Sequence, residues 1–197
     1  MRTAVASPPC RPRVAGTEVR ILVLVADAHG VMGVELGSGA PVRARYPEPA
    51  VLRPAPFDVV VAPLAATTEL PDPCHPEAVE LAELPEPFGH LGGRRAERWL
   101  RPLLHPPGFP LLGFVAPAVP FWQLNGSRPS MALVPARPTV VRTQIGLRCR
   151  FAWRNLVHDL AMEGSGTATG AVEARRLLVT LTAPRAGHCY KVVSAVL

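Results

Sequence analysis

The stretch Leu147-Arg148-Cys149-Arg150-Phe151-Ala152-Trp153-Arg154 alternates apolar and basic side chains, and this alternation indicates how the region folds. Successive side chains of an extended strand point to opposite faces. One face of such a strand carries Leu147, Cys149, Phe151 and Trp153, and the other carries Arg148, Arg150 and Arg154. The stretch therefore predicts a β-strand with one core-facing side and one basic side.

The run before this strand, residues 139–145, repeats the arrangement. One side of it holds Val141, Thr143 and Ile145, and the other holds Arg142 and Gln144. Gly146 between the two runs permits a tight connection. We predict a β-hairpin with a basic outer face. A second interpretation is that these arginines only solvate the sheet, which is the usual fate of a strand's polar side.

Composition favours short strands over long helices. The chain has 197 residues and is 48% apolar, so a packed core is expected. Its 24 prolines and 16 glycines shorten regular elements. Short apolar runs recur at intervals of about ten residues, a pattern typical of small barrels and sandwiches. We predict an all-β protein with one or two short helices, arranged as two small β-barrels in tandem.

The same features predict where the chain divides. Residues 1–17 are polar and aperiodic, and we expect a disordered lead-in. Residues 18–104 are expected to form a first β-barrel with an acidic, proline-rich insertion. Residues 105–120 hold five prolines and are interpreted as a buried linker. Residues 121–197 are expected to form a second, basic barrel.

Within these segments, two helices and one further strand are predicted. Residues 76–84 begin with a proline and carry acidic residues early, which suits a helix N-terminus. Residues 94–104 have an apolar side that would suit a second short helix. Residues 121–124 are expected to be a strand that begins the second barrel.

Charge is distributed unevenly along the chain, which has a net charge of +6. Nine acidic residues and three arginines lie between Glu48 and Glu97. From Pro117 onward, nine arginines and Lys191 accompany three acidic residues. A basic half attracts polyanions such as nucleic acid, although a bias toward arginine codons would raise the charge without any partner.

Cysteine usage and hydropathy bear on the compartment. Cys10, Cys74, Cys149 and Cys189 show no metal or disulfide spacing. The first residues lack the apolar core of a secretory signal, and no run is long and apolar enough for a membrane helix. We expect a cytoplasmic protein with reduced thiols and no membrane partner.

No catalytic motif, metal site or cofactor site is predicted. His188 and Cys189 are adjacent in sequence, so in a strand they point to opposite faces and His188 is badly placed to activate the thiol. The histidines do not fall at ligand spacing, and phosphate-binding glycine motifs are absent from the sequence. Trp122 is the candidate for stacking on a base, because one of Phe121 and Trp122 is expected to be exposed near the basic hairpin.

Three runs in the C-terminal part resemble the closing part of the dual OB-domain proteins, a bacterial family associated with nucleic-acid modification and defence gene sets. They are residues 147–160, residues 177–182 and Gly187-His188-Cys189-Tyr190-Lys191-Val192-Val193, the last being the most specific. The resemblance covers about the last 80 residues. It implies two OB-like barrels and a nucleic-acid or nucleotide ligand, and it implies no catalytic residues.

Three functions follow as hypotheses. The first is a non-enzymatic accessory protein that binds nucleic acid through the second barrel. Its predicted contacts are Arg142, Arg148, Arg150, Arg154, Lys191 and Trp122. The second is a protein-interaction module whose acidic and basic halves dock on a protein partner. The third is an enzyme with a cleft site between barrels that uses His188, Cys189 or His158.

Overall fold

A computed structural model describes residues 14–51, 53–66, 72–92, 94–163, 170–171 and 176–197. β-Strands are the dominant regular structure, so the all-β prediction is confirmed at this level. The chain divides into unit 1, residues 1–103 with 126–129, and unit 2, residues 104–125 with 130–197. Residues 105–120, expected to be a linker, therefore belong to unit 2.

Unit 1 holds six of the strands. They are β1 (Glu18–Ala26), β2 (Gly30–Glu35), β3 (Pro41–Arg45), β4 (Asp58–Pro63), β5 (Ala78–Glu80) and β6 (Glu86–His90). The helix α1 (Arg94–Leu100) and a following 3-10 turn (Arg101–Leu103) agree with the helix predicted over 94–104. The helix predicted over 76–84 is wrong. That segment forms β5, because pairing with β3 outweighs a weak local preference for helix.

The sheet of unit 1 has the order β5-β3-β2-β1-β4-β6. All its pairings are antiparallel except β3 with β5, which is parallel. Beyond the ends of β4 and β5, Ala65 N donates to Glu80 O and Ala82 N donates to Pro63 O, each at 2.9 Å. Hydrogen bonding thus also connects the chain after β4 with β5, around the bridge between Leu64 and Leu81.

The core of unit 1 lies on the inward faces of these strands. It is formed by Val19, Ile21, Val23, Val31, Val42, Ala44, Tyr46, Val60, Ala62, Leu64 and Leu81. The backbones of β1 and β2 approach each other closely at Gly33, where a Cβ would lie 2.0 Å from Leu22 O. Only glycine fits this position.

The predicted lead-in falls mainly on residues 1–13, which lie outside the described residues. Residues 14–17 extend the pairing at the start of β1. Gly16 N donates to Leu64 O at 2.8 Å, and Leu64 N donates to Thr17 O at 3.0 Å. Residues 14–17, which the sequence assigns to the lead-in, are therefore part of the paired structure of unit 1.

The described part of unit 2 holds eight strands. They are β7 (Ala118–Pro120), β8 (Met131–Val134), β9 (Thr139–Thr143), β10 (Gly146–Trp153), β11 (Leu156–Met162), β12 (Gly170–Ala171), β13 (Leu177–Leu181) and β14 (His188–Val196). The strand predicted over 121–124 is wrong. Phe121–Gln123 is a 3-10 turn, because β7 ends at Pro120 and Leu124 N donates back to Phe121 O at 3.0 Å.

The main sheet of unit 2 has the order β12-β9-β10-β11-β14-β13-β8, and β7 pairs separately with β14. The pairing of β11 with β14 is parallel and the others are antiparallel. Apolar side chains of β8, β10, β13 and β14 are buried together in this unit's core. In the part of the chain that the structure describes, no helix is long and apolar enough to cross a membrane.

Candidate functional site

The strand β10 has the two faces that its alternation predicts. Cys149, Phe151 and Trp153 are buried, whereas Arg148 and Arg150 point to the other side. β11 pairs with β10 so that Arg150 is opposite Asp159. Opposite residues of an antiparallel pair lie on the same face. The outer face of this hairpin therefore holds a carboxylate among its arginines.

Asp159 bridges the two arginines, and the three residues form an arginine–aspartate cluster. Arg148 Nε donates to one carboxylate oxygen at 2.6 Å, and Arg150 Nε donates to the other at 3.0 Å. The hydrogen bond from Arg148, assisted by that from Arg150, holds the pKa of Asp159 below its usual value. The predicted basic face is therefore partly neutralised by its own strand partner.

The guanidinium groups of Arg148 and Arg150 differ in how accessible they are to a ligand. Arg148 also donates through Nη2 to Asp159 O at 2.5 Å and is about two-thirds buried. Arg150 is 61% exposed, and its Nη atoms make no contact among the described residues. A charged ligand can therefore reach Arg150 more readily than Arg148.

Arg142 does not share this face, which corrects the prediction. It lies opposite Leu147, whereas Val141 lies opposite Arg148. Val140 is buried and Val141 is partly exposed, so β9 has the reverse of the expected orientation. The reason is the alternation of β9, which turns Val140 toward Cys149 and the core. Arg142 is exposed on the opposite side of the sheet from Arg148.

Arg154 also departs from the predicted arrangement. It is not in a strand: Arg154 and Asn155 form the two-residue turn between β10 and β11, with φ of 53° and 62°. Two positive φ values are typical of the type I′ turn, which suits the twist of a β-hairpin. The Arg154 side chain is exposed at the end of the hairpin rather than on its face.

Lys191 is buried, which contradicts its predicted place on a basic surface. It is 3% exposed and lies on β14 between the buried residues Cys189 and Val193. Its Nζ donates to Phe114 O at 2.5 Å. Burial lowers the pKa of Lys191 to about 8. A lysine in this position is not available to the backbone of a nucleic acid.

Trp122 is exposed, and it belongs to a group of rings that sequence reasoning did not identify. We define the aromatic cluster as Phe121, Trp122, His188 and Tyr190. Consecutive rings have centroid separations of 5.7, 6.0 and 6.5 Å. Trp122 is 66% exposed, Phe121 47% and Tyr190 40%. Large aromatic side chains are seldom left this exposed together without a binding role.

Strand pairing assembles the aromatic cluster. β7 pairs with β14 so that Pro120 is opposite His188, and Phe121 N donates to Gly187 O at 3.0 Å. The 3-10 turn that carries Phe121 and Trp122 therefore lies beside the turn between β13 and β14. Arg185 is exposed in that same turn. Trp122 thus lies near the β13–β14 turn.

The enzyme hypothesis drew on His188 and Cys189, which the structure places differently. Cys189 is fully buried, and His188 packs against exposed rings on the neighbouring surface. Burial raises the pKa of the Cys149 thiol to about 11. In the described ranges no three His, Cys, Asp or Glu side chains are grouped so that they could hold a metal.

Comparison of the chain with protein-family models, curated proteins and solved structures finds no match. The resemblance to the dual OB-domain proteins stays a prediction.

Proposed function

We propose that the protein binds single-stranded nucleic acid through unit 2, and that both units are OB-like barrels. The barrel proposal for unit 1 is supported by the order of its strands. Hydrogen bonds connect β1 to β2, β2 to β3 and β3 to β5. They also connect the chain after β5 to the chain after β4, and β4 pairs with β1. A sheet whose pairing returns to its first strand has the connectivity of a barrel.

For unit 2 the support is a distance argument. β8 and β9 are five strand positions apart in the sheet order. In a flat sheet they would be separated by roughly 24 Å, at about 4.8 Å per position. The chain from Val134 to Thr139 spans at most about 18 Å. A sheet that curls so that β8 approaches β9 would satisfy this limit, which supports the barrel proposal for unit 2.

The aromatic cluster is the observation that carries the binding proposal. Exposed rings stack on bases of any sequence, and OB-fold proteins that bind single strands combine such rings with basic side chains. The OB fold binds oligonucleotides on the face of its second and third strands and at the loops beside it, including the loop between its fourth and fifth strands. In an OB-like unit 2, these correspond to β10, β11 and the β13–β14 turn.

The basic residues have a secondary part in this proposal. Arg150 and Arg185 are exposed and can contact phosphate, which gives affinity without sequence preference. Arg148 is engaged by Asp159 and contributes less. A reducing compartment suits the buried thiols of Cys74, Cys149 and Cys189, so a cytoplasmic location is part of the proposal.

The experiment is titration of single-stranded oligonucleotides into Trp122→Leu and wild-type protein, followed by anisotropy. Stacking on one base is worth about 1–3 kcal/mol, so we expect the substitution to weaken binding by about tenfold or more. Phe109→Leu is the matched control, because Phe109 is 43% exposed in unit 2 but lies outside the aromatic cluster. Equal affinity of all three proteins, or no binding by the wild type at low salt, would refute the proposal.

A second candidate is docking of a protein partner on unit 1. All five residues of β6 are exposed, and in the described sheet β6 is an edge strand that pairs only with β4. Phe88 on this strand is 58% exposed. Edge strands with exposed apolar residues accept strands from other proteins. A hetero-complex that survives nuclease treatment and is lost in Phe88→Glu would favour this function.

A further inference from the structure

Lys191 is the only lysine among the 21 basic residues of the chain. It is also the one basic residue that is almost fully buried among those described. No salt bridge to Lys191 is present in the described residues, and burial alone lowers its pKa. Its Nζ carries three N–H donors, of which one is used by Phe114 O. A buried ammonium with unused donors and no carboxylate partner is costly unless a ligand compensates it.

Other nitrogen atoms with unused hydrogen-bonding capacity lie in the same interior. Nε1 of Trp153 and Nε2 of His158 are both buried without a partner among the described residues. The parallel pairing of β11 with β14 sets Ala161 beside Val192, so Lys191 lies on the same inward side as Leu160 and His158. The charge of Lys191 also contributes to lowering the pKa of His158, after burial.

His105 completes an interior nitrogen cluster, which we define as Lys191, His158, Trp153 and His105. Its ring meets that of Trp153 edge-on at 6.0 Å. Burial first, and then the charges of Lys191 and Arg154, lowers the pKa of His105. Its Nε2 accepts from Leu112 N at 3.0 Å, so this imidazole is held in place. No carboxylate of the described residues shifts the pKa of His105, His158 or Lys191.

The two acidic residues that the structure describes in unit 2 are both accounted for on its surface. Asp159 is engaged by Arg148 and Arg150 on the outer face, and Glu163 is exposed after the end of β11. Within the cluster, Lys191 and Trp153 Nε1 are the donors with unused capacity, and donors with positive charge and no acid beside them are complementary to an anion. We propose that the interior nitrogen cluster of unit 2 binds a small oxyanion, a phosphate or a carboxylate, with Lys191 as its charged contact and Trp153 Nε1 as a neutral donor.

The anion takes the place that a carboxylate side chain occupies in an ordinary buried ion pair. Lys191 can direct two N–H groups toward it while keeping its bond to Phe114 O, and Trp153 supplies a third donor. Lysine suits the position better than arginine, since its compact ammonium is a point charge with rotatable donors. This site is independent of the aromatic cluster and of nucleic-acid binding.

The single lysine makes the test direct. Protein grown with ¹³C,¹⁵N-lysine gives one lysine side-chain signal, whose Cε shift reports the protonation of Lys191. We expect inorganic phosphate to shift this signal saturably, with a Kd of about 1 mM or tighter. Sodium chloride at matched ionic strength should leave the lysine signal unshifted. Titration with acetate separates a preference for carboxylate from one for phosphate, and an apparent lysine pKa that rises with bound anion is expected in either case.

Two variants complete the test. Trp153→Phe keeps the ring and removes the Nε1 donor, and should weaken phosphate binding about tenfold. Arg137→Met, an exposed arginine of the same unit, should bind like the wild type. A lysine signal that does not respond to phosphate or acetate in folded wild-type protein, as judged from the Lys191 backbone amide, would overturn the proposal. So would a shift that chloride reproduces.

Discussion

Single residues decide how much of the predicted basic surface is available. The arginines of β10 point outward as their alternation predicts, yet one carboxylate, Asp159, takes up hydrogen bonds from both Arg148 and Arg150. Ion pairs at the surface contribute little to stability, because solvent screens them. Their effect here is on binding, since a phosphate must compete with Asp159 for the same guanidinium groups.

We therefore expect Asp159→Asn to strengthen binding of single-stranded nucleic acid severalfold. Removing the carboxylate frees Arg148 and Arg150, and each new phosphate contact steepens the slope of log affinity against log salt by about 0.7. Affinity is measured by anisotropy across a salt series. Arg148→Ala combined with Arg150→Ala should have the opposite effect on both quantities. Weaker binding by Asp159→Asn would contradict a role for these arginines.

The lowered pKa of Lys191 predicts that the free energy of unfolding depends on pH. Its folded pKa, about 8, is below the ordinary value of 10.5, so the folded state releases the proton first as pH rises. The unfolded state then binds more protons between these values, and stability rises with pH across that window by on the order of 2–3 kcal/mol. Lys191→Met lacks this contribution. The free energy of unfolding of the wild type should gain on that of the variant from pH 8 to 10.5.

Urea unfolding at several pH values, in buffers without phosphate, measures the difference. The free energy of unfolding of Lys191→Met is subtracted from that of the wild type at each pH. This subtraction removes the contribution of other groups that titrate in this range, such as Tyr46, whose pKa burial raises to about 12. A difference that does not change with pH would mean that Lys191 is not protonated differently in the two states.

At the scale of elements, close approach of the backbone constrains β2. A Cβ at position 33 would lie 2.0 Å from Leu22 O, whereas a Cβ at Gly89 of β6 would meet nothing within 4 Å. Gly33→Ala should lower the free energy of unfolding by about 3 kcal/mol, at the upper end of overpacking effects. Gly89→Ala is its matched control and should change stability little. Thermal unfolding of both variants tests this, and equal melting temperatures would contradict the β1–β2 geometry.

The turns show what local sequence can and cannot predict about elements. Arg154 and Asn155 lie between two runs of alternating residues, and a two-residue turn at this point sets Arg150 opposite Asp159. Hairpin register was therefore accessible from the sequence. The orientation of β9 was not, because residues 139–145 place apolar side chains on both faces and the core selects Val140.

For the whole molecule, three buried thiols allow the opening of each unit to be followed separately. Cys74 lies in unit 1, and Cys149 and Cys189 lie in unit 2, all at 4% exposure or less. Thiol reagents should modify each of them only when its unit opens. We expect native protein to react at these sites far more slowly than urea-unfolded protein, as followed by mass spectrometry of peptides. Rapid modification of Cys149 in native protein would contradict its burial.

The sequence by itself determined the features that depend on the alternation of apolar and polar residues and on proline and glycine ending regular elements. These include the all-β class, most strand positions, the outward arginines of β10 and the short helix α1. Such features follow from the period of side chains along one segment, which needs no knowledge of distant partners.

Only the tertiary structure decided what those segments meet. Pairing of β7 with β14 brings Phe121 and Trp122 to His188 and Tyr190, across more than sixty residues of chain. Pairing of β14 within the main sheet turns Lys191 into the interior, on the same side as Leu160 and His158, away from the surface where its charge suggested it would lie. Whether a side chain is buried depends on how the sheet packs and not on the residue type alone. For this reason Lys191, a basic residue expected at the surface, is a hydrogen-bond donor in the interior.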